Sequence, residues 1–225
     1  MLKFAVKYIY SKVLASKRNF LLLIAFLGVL AISLDLSGSV TGYAIAKAST
    51  TIAIIIYAAS NRGISRMSAQ VVSALVFCLL GDIALVWDEF FLLGIGFFLI
   101  AHLLFIRALR NRFGSRFVPI AVLFSMVVLI GITTLLWNGL NGILKIAVPI
   151  YALVISIMVA LALSVALKRR TTMRLQIALG ALLFMISDTL LGIDGFLTPL
   201  PFSSILILST YWAALTFLAN AGREF

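Results

Sequence analysis

Stretches of apolar residues alternate with short polar breaks from about position 19 to the end of the chain. A helix needs about 20 such residues to cross hydrocarbon. Windows of that kind fall near 19–36, 41–60, 68–87, 90–109, 117–136, 144–167, 174–193 and 202–221. The breaks hold turn formers and charges: Asp35 to Gly38, Asn61 to Gly63, Asp88-Glu89, Arg110 to Arg116, Asn138 to Asn141, Lys168 to Arg170, and Asp194 to Pro201. The pattern predicts an all-α polytopic membrane protein with eight transmembrane helices. No linker is long enough to separate domains, so residues 1–225 read as a single integral membrane domain. Within it, 1–18 form a basic N-terminal segment and about 19–221 form the bundle.

Composition agrees with this reading. The chain is 64% hydrophobic and 11% charged, with a mean hydropathy of +1.21, whereas a soluble domain carries roughly a quarter of its residues as charges. Its one cysteine, Cys78, lies in an apolar run, which excludes a disulfide framework and a cysteine-based zinc site. The basic residues fix an expected orientation. Lys3, Lys7, Lys12, Lys17 and Arg18 precede the first window; Arg62 and Arg66 follow the second; Arg107 to Arg116 close the fourth; Lys168 to Arg174 follow the sixth; Arg223 follows the eighth. All fall on one side, and the other side has Lys145 with Asp35, Asp88, Glu89 and Asp194. By the positive-inside rule both termini are expected in the cytoplasm, with Trp87 and Trp137 in the outer aromatic belt.

The net charge of +11 is scattered over short loops instead of gathered in one stripe. Membrane lipid headgroups, not nucleic acid, are therefore the expected partners of these cations. Residues 1–17 are loosely amphipathic and read as a surface segment. No small-x-small cleavage site follows the basic start, so a signal peptide is not expected.

The third and seventh windows repeat one another. "GDIALVWDEF" (Gly81 to Phe90) aligns with "SDTLLGIDGF" (Ser187 to Phe196), both reading small-Asp-x-x-Leu-x-x-Asp-x-Phe. The two aspartates, Asp82 and Asp188, thus sit at one depth in helices four windows apart. An even spacing keeps the halves in the same orientation, as expected of two parallel four-helix repeats.

Depth brings further residues to that layer. Lys47 in the second window and Tyr151 in the sixth lie about five residues in from the same side, roughly 8 Å at 1.5 Å per residue. His102, the single histidine, lies about twelve residues in and is expected deeper. An ionisable group at the centre of a membrane helix costs about 2.5–3.5 kcal/mol on insertion scales and usually faces a bundle interior or a cavity. A shared polar pocket open toward the non-cytoplasmic side would compensate for several at once.

In order and spacing, Lys47, "LLGDIAL", "FLLGIGFFLIAHLLFI", "YALVISIM" and "GALLFMISDTLL" resemble the YhhN family, whose members include lysoplasmalogenases. The resemblance covers roughly residues 40–215. Family members often follow the lysine with proline, where this chain has Ala48. The resemblance implies a multi-pass cell-membrane hydrolase, in the inner membrane if the cell is Gram-negative, acting on a lysophospholipid. It would cleave the vinyl ether bond of lysoplasmalogens to a fatty aldehyde and a glycerophospho-alcohol. Protonating a vinyl ether and hydrating the resulting oxocarbenium ion needs an acid and a base at one bond, a division that two carboxyl groups achieve in glycosidases. Asp82 and Asp188 are the expected catalytic pair, without assignment of which is acid. Lys47 is expected to hold the phosphate or an ionised carboxylate, and His102 and Tyr151 to orient water or a carboxylate. No metal site and no cofactor are expected, because one histidine is a poor zinc set. Gly94 and Gly96 would permit close helix approach beside a lipid cleft.

Other readings stay open at this level. The acids and Lys47 can form a buried pair that fixes helix register, and Lys47 can snorkel to the interface. Tyr151 can be a packing residue, as can Tyr211 and Trp212, and Ser187 can bond its own helix backbone. A proton-coupled carrier or lipid flippase is the rival class, though carriers favour interrupted helices and midplane sites.

Overall fold

In a computed structural model, described over residues 2–60 and 66–222, the chain forms eight α-helices and, among the described residues, no strand. They are α1 (Leu2–Leu36), α2 (Val40–Ala59), α3 (Arg66–Ala84), α4 (Phe91–Phe113), α5 (Pro119–Leu136), α6 (Leu144–Lys168), α7 (Thr172–Phe196) and α8 (Ser203–Gly222). The positions of Arg62 and Arg223 lie outside the described residues, as do the side chains of 2–16, on which the amphipathic reading of the N-terminal segment rests.

Seven helices are long and apolar enough to cross a membrane, and α3 contributes the shorter apolar stretch Ala69–Ala84. Large apolar side chains such as Phe26, Ile130 and Ile146 are more than 60% exposed along these helices. A water-soluble protein does not carry so continuous an apolar surface; this is a multi-pass membrane protein. The expected windows coincide with helices throughout, but several ends move, the α4 end by four residues to Phe113. Helix α3 stops at Ala84, three residues before its window does, and α7 continues to Phe196, three residues beyond.

Local sequence explains several boundaries. Pro119 stands at the start of α5, where its missing N–H is not needed. Gly114 ends α4 with φ +79°, a left-handed conformation open to glycine and strained for other residues. At the opposite end of the bundle, three-residue 3-10 turns at Asp88–Phe90 and Trp137–Gly139 lead out of α3 and α5.

Consecutive helices pack as hairpins, α1 on α2, α3 on α4, α5 on α6 and α7 on α8. The most extensive longer-range pairings are α4 with α6 and α2 with α8. Exchanging the first four helices with the last four maps the hairpins and these two pairings onto one another, whereas the lesser pairings of α8 with α1 and α3 have no counterpart of similar extent. The core draws buried side chains from α1 to α4 and from α6 to α8, and where α4, α7 and α8 meet within it lies the fully buried Phe184 ring. Around it stand Phe98, Tyr211 and His102 at centroid distances of 6.1, 5.6 and 4.5 Å. Asp188 follows Phe184 by four residues, one helical turn along the same face of α7. The aromatic cluster is therefore the floor on which the polar residues rest.

Candidate active site

Asp82, two residues before the end of α3, is 1% exposed and held from two sides. From α2, Thr51 Oγ1 donates to its Oδ2 at 2.6 Å and Lys47 Nζ stands 3.7 Å from Oδ1. From α8, the Tyr211 hydroxyl donates to Oδ2 at 2.9 Å. Lys47 is itself 6% exposed and lies 5.6 Å from the centre of the Tyr43 ring. Its ammonium is turned inward to the carboxylate, which answers the snorkelling alternative.

Asp188 in α7 has a lighter set of partners. From α6, the Tyr151 hydroxyl donates to Oδ2 at 2.6 Å. From α4, His102 Nε2 stands 3.7 Å from the same oxygen, beyond hydrogen-bond length. The His102 and Tyr151 rings meet edge to face at 5.2 Å. His102 is fully buried and neither ring nitrogen has a protein hydrogen-bond partner. The Asp188 side chain keeps 15% of its surface exposed. Among the described residues, no fixed cation faces it at ion-pair distance unless His102 is protonated.

Two cavities meet at Asp188. A polar chamber of about 160 Å³ lies among α2, α3, α7 and α8, walled by Lys47, Asp82, Asp188, Asp194, Ser203 and Tyr211 among others. An apolar cleft of about 60 Å³ lies among α4, α5, α6 and α7, bounded by residues such as Ile95, Leu136, Ala152, Ile155 and Met185, with Tyr151 and Asp188 at its polar end. Leu85, Phe98 and Leu191 line both, so they partition the two spaces. Gly94 sets that partition. A Cβ there would lie 2.6 Å from Leu85 Cδ2, so a larger residue would push the Leu85 side chain out of the partition. Gly96, by contrast, faces open space and has no such role.

All five expected site residues thus fall into one connected polar region: Lys47 with Asp82, His102 and Tyr151 with Asp188, both acids on one chamber. Thr51 and Tyr211 are hydrogen-bond partners of Asp82 that composition and spacing do not single out. Tyr211 packs as expected, against Phe98 and Phe184, but its hydroxyl also reaches Asp82. Ser187 departs from expectation as well. Its hydroxyl donates 3.0 Å across to the Ile207 carbonyl of α8 rather than to its own helix. Asp194 accepts from the Leu200 amide at 2.6 Å and pins the α7–α8 loop over the chamber. Among the described residues, no three His, Cys, Asp or Glu side chains gather closely enough to hold a metal ion.

Two carboxyl groups thus face one chamber from different surroundings, an arrangement that suits proton transfer to and from a ligand placed between them. The profile of the YhhN family matches residues 42–221, which contain every residue named at the site. Lysoplasmalogenase TMEM86A of Bos taurus is 33% identical to this chain over 165 residues, 70% of this chain and 66% of that protein. Lysoplasmalogenase TMEM86B of Sus scrofa is 33% identical over 147 residues, 65% of this chain and 60% of that protein. The aligned part therefore spans 60–66% of these mammalian proteins, less than two thirds. A lysoplasmalogenase of Mycobacterium tuberculosis is 32% identical over 213 residues, 89% of this chain and 78% of that protein. No solved structure matches. With a family profile covering most of its length and relatives of similar extent in mammals and mycobacteria, this chain belongs to the YhhN family.

Proposed function

We propose that this protein is a membrane-embedded hydrolase that cleaves the vinyl ether bond of lysoplasmalogens, releasing a fatty aldehyde and a glycerophospho-alcohol by aspartate acid/base catalysis. The observation that carries the reading is that Asp82 and Asp188, from helices far apart in sequence, wall the same chamber beside Lys47. Relatives named lysoplasmalogenases supply the substrate class.

The surroundings divide the roles. Asp82, beside an ammonium and accepting two hydroxyl hydrogen bonds, has the partners of an ionised carboxylate. Asp188 is the acid. Its proton goes to the outer carbon of the vinyl ether, where the alkene electron pair forms the new C–H bond and leaves an oxocarbenium ion. Water adds to the carbon bonded to oxygen and gives its proton to Asp82. The hemiacetal then collapses: its hydroxyl proton returns to Asp188, the carbon–oxygen bond breaks, and the glycerol oxygen takes the proton from Asp82. One water is consumed, and both carboxyl groups end as they began. Lys47 stabilises the charge on Asp82 and attracts the phosphate, while Tyr151 and His102 orient Asp188.

In the membrane, α3 is the eighth span. Its 19 residues extend about 28 Å, of which the apolar stretch Ala69–Ala84 covers about 24 Å, less than the roughly 30 Å of a hydrocarbon core. Both termini then lie in the cytoplasm and the site opens to the non-cytoplasmic side of the cell membrane, with Trp87 and Trp137, each about 45% exposed, at that interface. The interchange symmetry of the helix pairings supports a parallel duplication of four helices.

The test is release of fatty aldehyde from lysoplasmenylethanolamine by the purified protein in detergent. Wild type is expected to turn over, and Asp82→Asn and Asp188→Asn to lose turnover. Full activity in both variants, or none in wild type, overturns the reading.

A further inference from the structure

Asp188 is the one ionisable side chain on the wall of both cavities; Lys47, Asp82 and Asp194 face only the polar chamber. The apolar cleft departs from Asp188 in the other direction. Apart from the Tyr151 hydroxyl and Thr189, its lining is hydrocarbon, and Thr189 turns its own hydroxyl back to the Met185 carbonyl at 2.7 Å. The partition of Leu85, Phe98 and Leu191 leaves the carboxyl as the point where a polar and an apolar group of one molecule can meet. A lysoplasmalogen has this division at its scissile bond. The glycerol oxygen lies on one side, and the alkene carbon that must receive the proton already belongs to the hydrocarbon chain.

The geometry points to the cleft among α4, α5, α6 and α7 as the binding site for the alkenyl chain, with the glycerophospho end in the chamber beside Lys47 and the vinyl ether lying across Asp188. This placement rests on the hydrolase reading for its substrate, and it goes further by stating which helices hold the chain. It also explains why two acids on one chamber differ in position. Asp188 reaches the chain carbon, whereas Asp82 faces only the side from which water enters. The cleft is too small for a whole chain, so it grips the segment next to the alkene and passes the rest between helices to lipid. Ala152 is the gauge of this segment. It is 4% exposed, lines the cleft, and follows Tyr151 directly. A phenyl ring there fills the space that the first methylenes would occupy.

Two readouts on the full-length protein in detergent test the placement. In the first, a lyso alkyl ether glycerophosphoethanolamine carrying a diazirine on its chain is photolysed on wild type, and adducts are mapped by mass spectrometry. Adducts on α5 and α6, at residues such as Ile132 and Ile155, support the placement. Adducts confined to the groove between α1 and α8, around Ile24 and Trp212, overturn it. In the second, Ala152→Phe and the milder Ala152→Leu are assayed with a long-chain lysoplasmalogen and with its propenyl analogue, whose chain ends one carbon past the alkene. The expected result is a loss in kcat/KM at least tenfold greater on the long chain, carried by KM. Equal losses on the two substrates in both variants overturn the chain placement. The two hypotheses separate cleanly, because absent turnover by wild type defeats the hydrolase reading while the adduct map still decides where a single-chain ether lipid binds.

Discussion

Asp82 and Asp188 stand at matching positions of α3 and α7, and each is clasped in the same manner: by the second helix of its own half and by the fourth helix of the other. For Asp82 these are α2 and α8; for Asp188 they are α6 and α4. The partners differ in charge and number. Asp82 has an ammonium and two hydroxyl donors and is closed from view, while Asp188 has one hydroxyl donor, a histidine beyond bonding distance, and a partly exposed side chain. A shared scaffold has thus been given two chemistries. One carboxylate is electrostatically completed by the protein, and the other is left with capacity for a ligand.

This contrast is broken most severely by removing the acids one at a time. Asp188→Asn keeps an acceptor for Tyr151 and leaves no cation unpaired, so kcat for aldehyde release is expected to fall about 10²- to 10⁴-fold, the range of a lost acid/base group, with thermal stability near wild type. Asp82→Asn instead turns an amide toward Lys47 and should lose both activity and stability. Calorimetry or fluorescence-detected unfolding in detergent beside the turnover assay distinguishes them. Equal destabilisation by both substitutions would show that the two sites are electrostatically alike.

Next in size is Lys47→Met, which keeps the length of the side chain and removes its charge. A buried carboxylate deprived of its partner is expected to cost about 3–5 kcal/mol. The double variant Lys47→Met with Asp82→Asn removes both charges and should recover much of that loss without recovering turnover. If the double variant is no more stable than the single one, Lys47 and Asp82 are not coupled, and their 3.7 Å separation has no energetic meaning.

The parts of this site that stand out in the sequence are those that violate their surroundings. Lys47, Asp82 and Asp188 are legible because a charge in an apolar run needs a reason, and the helix windows are legible because hydrocarbon thickness fixes their length. Thr51 and Tyr211 are not, since a hydroxyl in a membrane helix is tolerated without a distant partner and nothing in their spacing points to Asp82. Ser187 looks locally satisfied for the same reason, although its bond crosses to α8. Depth counting misjudges Asp188, because it depends on where a helix ends. With α7 running to Phe196, Asp188 lies eight residues from its end, about 12 Å, which brings it down toward the histidine. The Gly94 and Gly96 pair shows the limit of motif reading. Two glycines two positions apart face different directions on a helix, and only Gly94 is packed closely, against Leu85.

The finest division between the two carboxyl groups is carried by their tyrosines. Tyr211→Phe removes one of two hydroxyl donors on Asp82 Oδ2 and leaves Thr51 and Lys47 in place. Tyr151→Phe removes the single hydroxyl bonded to Asp188. Hydrogen bonds to charged groups contribute about 1.5–3 kcal/mol, yet measured side-chain hydrogen bonds within membranes average about 0.6 kcal/mol, so neither change should unfold the protein. The expected signature is a difference in kind. Tyr211→Phe should shift stability slightly and leave kcat within a few fold, because Asp82 keeps its cation. Tyr151→Phe should leave stability near wild type and lower kcat about tenfold, because Asp188 loses the contact that aims it at the cleft. Reversal of that order would mean that Asp82, not Asp188, is the carboxyl group whose orientation limits turnover.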